Sequence, residues 1–289
     1  MRGASRPVGL RPGTATGRVK GPLRTRGECG TALAHNCRTL SQPLPQAIIP
    51  ANPTSVGVNC SLKENLEIAM IATDLTAQLQ HIIEARSLLK HPFYQAWNAG
   101  TLPVEALRQY SCQYYHFEAA YPKFLSGVHY RCDNRQVRQL LLENLWDEEH
   151  GPDNHVELWL RFCDGLGVDR ATVQGSELLP ATQRLLDTYQ RLTTQAIPAA
   201  GAGALYAFES QVPKVAEAKI CGLGQHYGIS DARTISFFTT HQSLDLEHSA
   251  AELEMVLDLA WTPEEQQQTL DAVREAADAL WQFLDGVYA

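Results

Sequence analysis

FFTTHQSLDLEHSAAELEMV, residues 237–256, decides the fold. In it His241, Asp245 and His248 fall at offsets of four and seven, so on an α-helix all three side chains share one face, and that face can hold a metal. The helix must then turn this polar face inward, against other helices that bring further ligands. A second pair, Glu148 and His155 in LWDEEHGPDNHVELW (145–159), is seven apart, two turns with a kink expected at Gly151-Pro152. Glu209 in ALYAFESQVPKVAEAK (204–219) completes the set, because a carboxylate from another inward-facing helix could bridge two ions. Mixed imidazole and carboxylate shells suit iron or manganese, whereas structural zinc favours thiolates, and close Cys-x-x-Cys pairs are absent from the sequence. Helix bundles build two-metal centres from inward Glu and His on facing helices.

Working outward, the periodicity is helical nearly throughout from residue 70 to 289, which predicts one all-α bundle of about seven or eight helices. LTAQLQHIIEARSLL (75–89) reads as a helix stopping before His91-Pro92, and HPFYQAW (91–97) as a turn or short helix. VEALRQYSCQYYHFEAAYPKFL (104–125) follows Pro103, and Asp133 is the expected N-cap of RQVRQLLLENLWDEEH (135–150). Further helices are expected in 156–166, 181–193, 202–223, 232–260 and 263–287, the last started by Thr262 before Pro263-Glu264-Glu265.

Residues 1–69 differ: nine Lys or Arg against three Asp or Glu, with repeated Gly, Pro, Ser and Thr. They read as a basic, disordered leader or as sequence upstream of a start at Met70. Their net charge of +6 leaves −14 for residues 70–289, which disfavours nucleic acid as a partner. Neither a secretory signal nor a membrane-spanning run is apparent, and the expected location is the cytoplasm. Seven cysteines, an odd number, argue for reduced thiols over a disulfide framework, with Cys112 and Cys221 expected in the core.

The six residues Glu148, His155, Glu209, His241, Asp245 and His248, at intervals of 7, 54, 32, 4 and 3, resemble the ligand set of the haem-oxygenase-like di-metal oxidases. Within these, the chain is similar to the CADD-type self-sacrificing para-aminobenzoate synthases over roughly residues 72–260. The resemblance implies a haem-oxygenase-like bundle with an Fe/Fe or Mn/Fe centre that uses dioxygen and an external reductant, and formation of para-aminobenzoate for folate synthesis. It implies that the protein's own Tyr94 is the precursor, that Lys219 supplies the amino group, and that Tyr110 relays electrons or a radical. Lys219 lies ten residues beyond Glu209 and is expected on the same helix, lining the same cavity. Where the family carries a tyrosine just before the bridging glutamate, this chain has Phe208, which cannot form a phenoxyl radical; Tyr206 or Tyr110 is the expected substitute. The competing functions are a multi-turnover oxygenase or N-oxygenase acting on an external amino acid or fatty acid, and a binding module that engages basic partners through its acidic surface. A homodimer is the default assembly.

Overall fold

The computed structural model describes residues 58–289, with side chains from 72 onward. Among the described residues the chain is helical and has no strand: α1 (Val58–Ala85), α2 (Pro92–Ala99), α3 (Val104–Glu118), α4 (Tyr121–Arg131), α5 (Arg135–Glu149), α6 (His155–Gly165), α7 (Arg170–Gln174), α8 (Pro180–Thr194), α9 (Pro198–Glu209), α10 (Val212–His226), α11 (Ser236–Leu259) and α12 (Pro263–Tyr288). The basic leader concerns residues that lie, up to 57, outside the described ones; α1 begins at Val58, before Met70.

The expected seven or eight helices become more because prolines divide two of them. The run 104–125 breaks at Ala119-Ala120, with Pro122 in the first turn of α4, and the run 202–223 breaks at Ser210-Gln211, with Pro213 in the first turn of α10. Proline is tolerated in a first turn, where its missing N–H has no intrahelical partner to lose. Glu209 and Lys219 therefore sit on different helices, not on one. The first helix ends at Ala85, earlier than expected, and a 3-10 turn at Leu88–Lys90 leads to His91, which caps α2 by accepting from the Phe93 N–H. The cap of α5 is Asn134, not Asp133: its Oδ1 accepts from the Gln136 and Val137 amides. Thr262 forms the expected capping box with Glu265 at the start of α12.

Helix α9 is buried along its whole length and packs against both α11 and α12. Its small residues permit this: a Cβ on Gly203 would lie 2.9 Å from the Thr269 methyl, and one on Gly201 2.8 Å from Val128. Helix α9 also packs against α8 and α4, and at its end Phe208 meets Phe117 of α3 and Tyr121 of α4 while Glu209 meets Asn144 of α5. Among the described residues no helix is long and apolar enough to cross a membrane. Cys163 and Cys132 are buried, as expected of core thiols, but Cys112 is half-buried and Cys221 is exposed on α10, contrary to expectation.

Candidate metal centre

Helical spacing delivers the first three residues. His241, Asp245 and His248 are all buried on the inner face of α11, and Glu252, one turn further along the same stripe, is fully buried beside them. Glu148 ends α5 on its buried face. The chain then turns through Gly151, whose φ of 82° is open to glycine, and restarts at Asn154, which caps α6 by accepting from the Glu157 amide. His155 is the first residue of α6 and points back at Glu148, with Nδ1 3.0 Å from Oε1. Glu209 enters from the end of α9, held by Asn144 Nδ2, which donates to both of its oxygens at 3.0 and 3.2 Å.

All six residues of the sequence-derived set are thus buried and brought together. A seventh was missed. Glu118, the last residue of α3, joins Glu148, His155 and His241 in a group whose ligand atoms all lie within 4.8 Å of one another. Its signal was present: Tyr110, Tyr114 and Glu118 recur at intervals of four, one face of α3.

The chemistry of this donor set fits cations. Five buried carboxylates, those of Glu118, Glu148, Glu209, Asp245 and Glu252, are enclosed with three buried imidazoles, and among the described residues no Arg is buried. Several of their atoms lack any hydrogen-bond partner: Glu118 Oε1, Glu148 Oε2, Asp245 Oδ2, His248 Nδ1 and Glu252 Oε2. Leaving such groups unsatisfied is costly, and a buried cluster of this composition fits a metal site. The electrostatics agree. Burial and then the neighbouring Glu148 push Glu118 up to about 8, and burial with Glu209 and Glu148 raises Asp245 well above the carboxylate range. Burial opposes charge on His155, but Glu148 outweighs it and lifts the imidazole to about 9. Two of the imidazoles are oriented from behind: His241 Nδ1 donates to the Phe237 carbonyl at 2.7 Å, and His248 Nε2 lies 3.2 Å from Asp147 Oδ2. Each leaves its other nitrogen facing the cluster, the usual outer-shell arrangement for a ligating histidine. His248 Nδ1 stands 3.7 Å from Glu209 and 3.8 Å from Asp245, separations too long for a hydrogen bond.

Beside the cluster lies an apolar cavity of about 30 Å³ whose wall includes Tyr94, Tyr110, Tyr114, Phe208, Phe237 and Lys219. Lys219 Nζ donates to the Tyr110 hydroxyl at 2.7 Å, and that hydroxyl is 3.4 Å from the Tyr94 hydroxyl. The ammonium also sits over rings, 4.8 Å from the Tyr110 centroid and 5.7 Å from that of Tyr94. Burial brings Lys219 down to about 7, so a neutral, nucleophilic amine is accessible near neutral pH. The same burial raises the phenols of Tyr94, Tyr110 and Tyr114. Phe208 has Tyr121 as a neighbour, ring centroids 5.1 Å apart, and the Tyr121 hydroxyl donates to Glu252 Oε1 at 3.4 Å; neither Tyr121 nor Glu252 was singled out from the sequence.

Comparison with known proteins bears on this geometry. A profile of haem-oxygenase-like iron-containing redox enzymes matches residues 108–281. A 4-aminobenzoate synthase of Nitrosomonas europaea is 42% identical over 228 residues, covering 76% of this chain and 93% of its own. The 4-aminobenzoate synthase of Chlamydia muridarum is 38% identical over 218 residues, 75% of this chain and 92% of its own. Among solved structures, a Shewanella denitrificans domain with a haem-oxygenase-like fold superposes with a TM-score of 0.62 at 18% identity, covering 81% of this chain and 93% of that one.

Proposed function

Since the chain belongs to the haem-oxygenase-like family of iron-containing redox enzymes, we propose that it forms 4-aminobenzoate from its own Tyr94, with Lys219 as amino donor, beside a two-metal centre. The product keeps a para-substituted ring in which one carbon beyond the ring has become a carboxylate and nitrogen stands where the phenol oxygen was. Tyrosine already carries that ring, with Cβ at one end and oxygen at the other. The observation that carries the reading is the position of Lys219: a buried amine, held at 2.7 Å on one phenol and within reach of a second, in a cavity of about 30 Å³.

Glu118, Glu148, His155 and His241 would hold one ion, and Asp245, His248 and Glu209 the second. Bound there, iron or a manganese and iron pair supplies the oxidising power of dioxygen, electrons coming from an external donor. The protein's residues do the rest. Tyr110 accepts the Lys219 N–H and keeps the nitrogen aimed into the cavity. Desolvation holds a useful fraction of that amine neutral, because the apolar wall offers no counter-charge but Glu118. Phe237, Phe238 and Phe283 line the cavity and keep bulk water from a reactive ring. The alternative, turnover of an external amino acid or fatty acid, would place a free substrate in this same cavity, and the Tyr94→Phe variant separates the two readings.

The test is mass spectrometry of small molecules and intact protein after aerobic incubation of the iron-loaded chain with reductant. We expect at most one 4-aminobenzoate per chain with a matching mass loss at Tyr94, none from Tyr94→Phe, and nitrogen-15 in the product when lysine carries the label. Sustained turnover of an added substrate by Tyr94→Phe would sink the proposal.

A further inference from the structure

The chemistry proposed above consumes electrons. One candidate ligand approaches the surface. His248 Nε2 meets Asp147 Oδ2 at 3.2 Å, and Asp147 is two-fifths exposed on α5. Its chain neighbour Trp146 is 62% exposed and Leu142, one turn earlier, 53%. With Leu145, Glu149, His150 and Gly151 these two line a surface groove, and Trp146 packs on the His150 ring at 3.8 Å between centroids. A large exposed indole in an apolar groove is the kind of anchor that protein interfaces bury.

No Lys or Arg lines this groove; the nearest along the chain are Arg138, one turn before Leu142 on α5, and Arg161, which donates to the Pro152 carbonyl. Residues 139–160 and 234–273 contain no Lys or Arg. These stretches supply the second half of α5 and all of α11, which run antiparallel, joined at one end by Gln136 to Glu254 (2.9 Å) and at the other by Asp147 to His248. Glu143, Glu149, Glu247 and Glu254 are exposed there, with Asp147 among them. A second copy of this chain would set acid against acid, which a partner with a basic face avoids.

We propose that the outer face of α5 and α11, centred on Trp146 and Leu142, docks a basic-faced electron-donor protein that reduces the metal centre through Asp147 and His248. The inference rests on the metal-centre reading. Each transfer moves one electron from a reduced flavin or iron–sulfur group of the donor to one ferric ion, giving Fe(II); two transfers reduce a di-iron centre.

The experiment uses the full chain and, as probe, a ferredoxin reductase whose ferredoxin-docking face is basic, with NADPH as its two-electron source. The flavin fluorescence of the reductase is titrated with metal-free chain at low and high salt. Reduction of iron-loaded chain is followed by ferric absorbance, beside a dithionite control. We expect saturable binding that weakens with salt, about tenfold weaker binding and NADPH-driven reduction for Glu143→Lys/Glu247→Lys and for Trp146→Ala, and unchanged reduction by dithionite. Binding that ignores salt, variants that bind as wild type, absence of binding by wild type, or a concentration-dependent dimer that the variants break would overturn the docking proposal. Failure of iron to load, or of dithionite-reduced wild type to form product, would instead count against the function proposed above, and the titration with metal-free chain would still decide the docking face.

Discussion

Lys219 Nζ donates to the Tyr110 hydroxyl across 2.7 Å, although 109 positions separate the two in the chain. The contact joins α10 to α3 inside the protein, where neither residue has water to fall back on.

That burial makes Lys219 a pH-dependent liability. Its folded-state value, about 7, lies below the 10.5 of an exposed lysine, so the cost of burying the charge is full below pH 7 and fades as pH rises toward 10.5. Replacing it with Met should stabilise the fold by several kcal/mol, as an order of magnitude, at pH 6 and by much less above pH 10, read by urea denaturation across that range. The initial rate of 4-aminobenzoate formation by wild type should rise with pH through about 7 as the amine becomes neutral. A flat profile would remove the amine from the reaction.

Glu118 tests the residue the sequence reading lacked. Its folded value of about 8 exceeds the ordinary 4.5, so the destabilisation appears as pH climbs from 4.5 through 8. Metal-free Glu118→Gln should therefore be more stable than wild type at pH 8.5 and closer to it at pH 4.5. The same variant should bind iron more weakly and hold less than two ions per chain by elemental analysis. Full iron content would take Glu118 out of the first coordination shell.

Added metal should itself stabilise the fold. Cations that satisfy the orphaned carboxylates and imidazoles bind the folded chain and not the unfolded one, contributing about 4 kcal/mol at a thousandfold excess over Kd. Anaerobic Fe(II) should raise Tm, and His241→Ala should remove most of that rise without abolishing folding.

Gly222 sets the approach of α10 to α2. A Cβ there would lie 2.6 Å from Trp97 Cδ1, and Trp97 is fully buried, with no room to yield. Gly222→Ala should destabilise by about 1 to 2 kcal/mol despite the better helix propensity of alanine. Because α10 carries Lys219 and α2 carries Tyr94, it should also lower the yield of 4-aminobenzoate relative to the fraction folded.

At the start of α12, Thr262→Ala should cost about 1 kcal/mol in chemical denaturation, since the Thr262 hydroxyl accepts the Glu265 amide and the Glu265 carboxylate accepts the Thr262 amide.

The sequence by itself determined what repeats along one helix. His241, Asp245 and His248 share a face because the α-helical period is local, and any helix over that stretch groups them. Thr262 with Pro263 and Glu265 specified a helix start for the same reason. Tertiary structure decided what meets across helices. The spacing of Tyr110, Tyr114 and Glu118 puts Glu118 on one face of α3, but only the packing of α3, α5, α6 and α11 puts it with Glu148, His155 and His241. Nor does spacing convey that Lys219, on a separate helix from Glu209 after the break at Ser210-Gln211, reaches the Tyr110 hydroxyl of α3 and sits over the Tyr94 ring of α2. Lysine is ordinarily solvated; here the packing of apolar walls around its amine removes the water, and that desolvation, a property of the assembled core, brings it down to about 7.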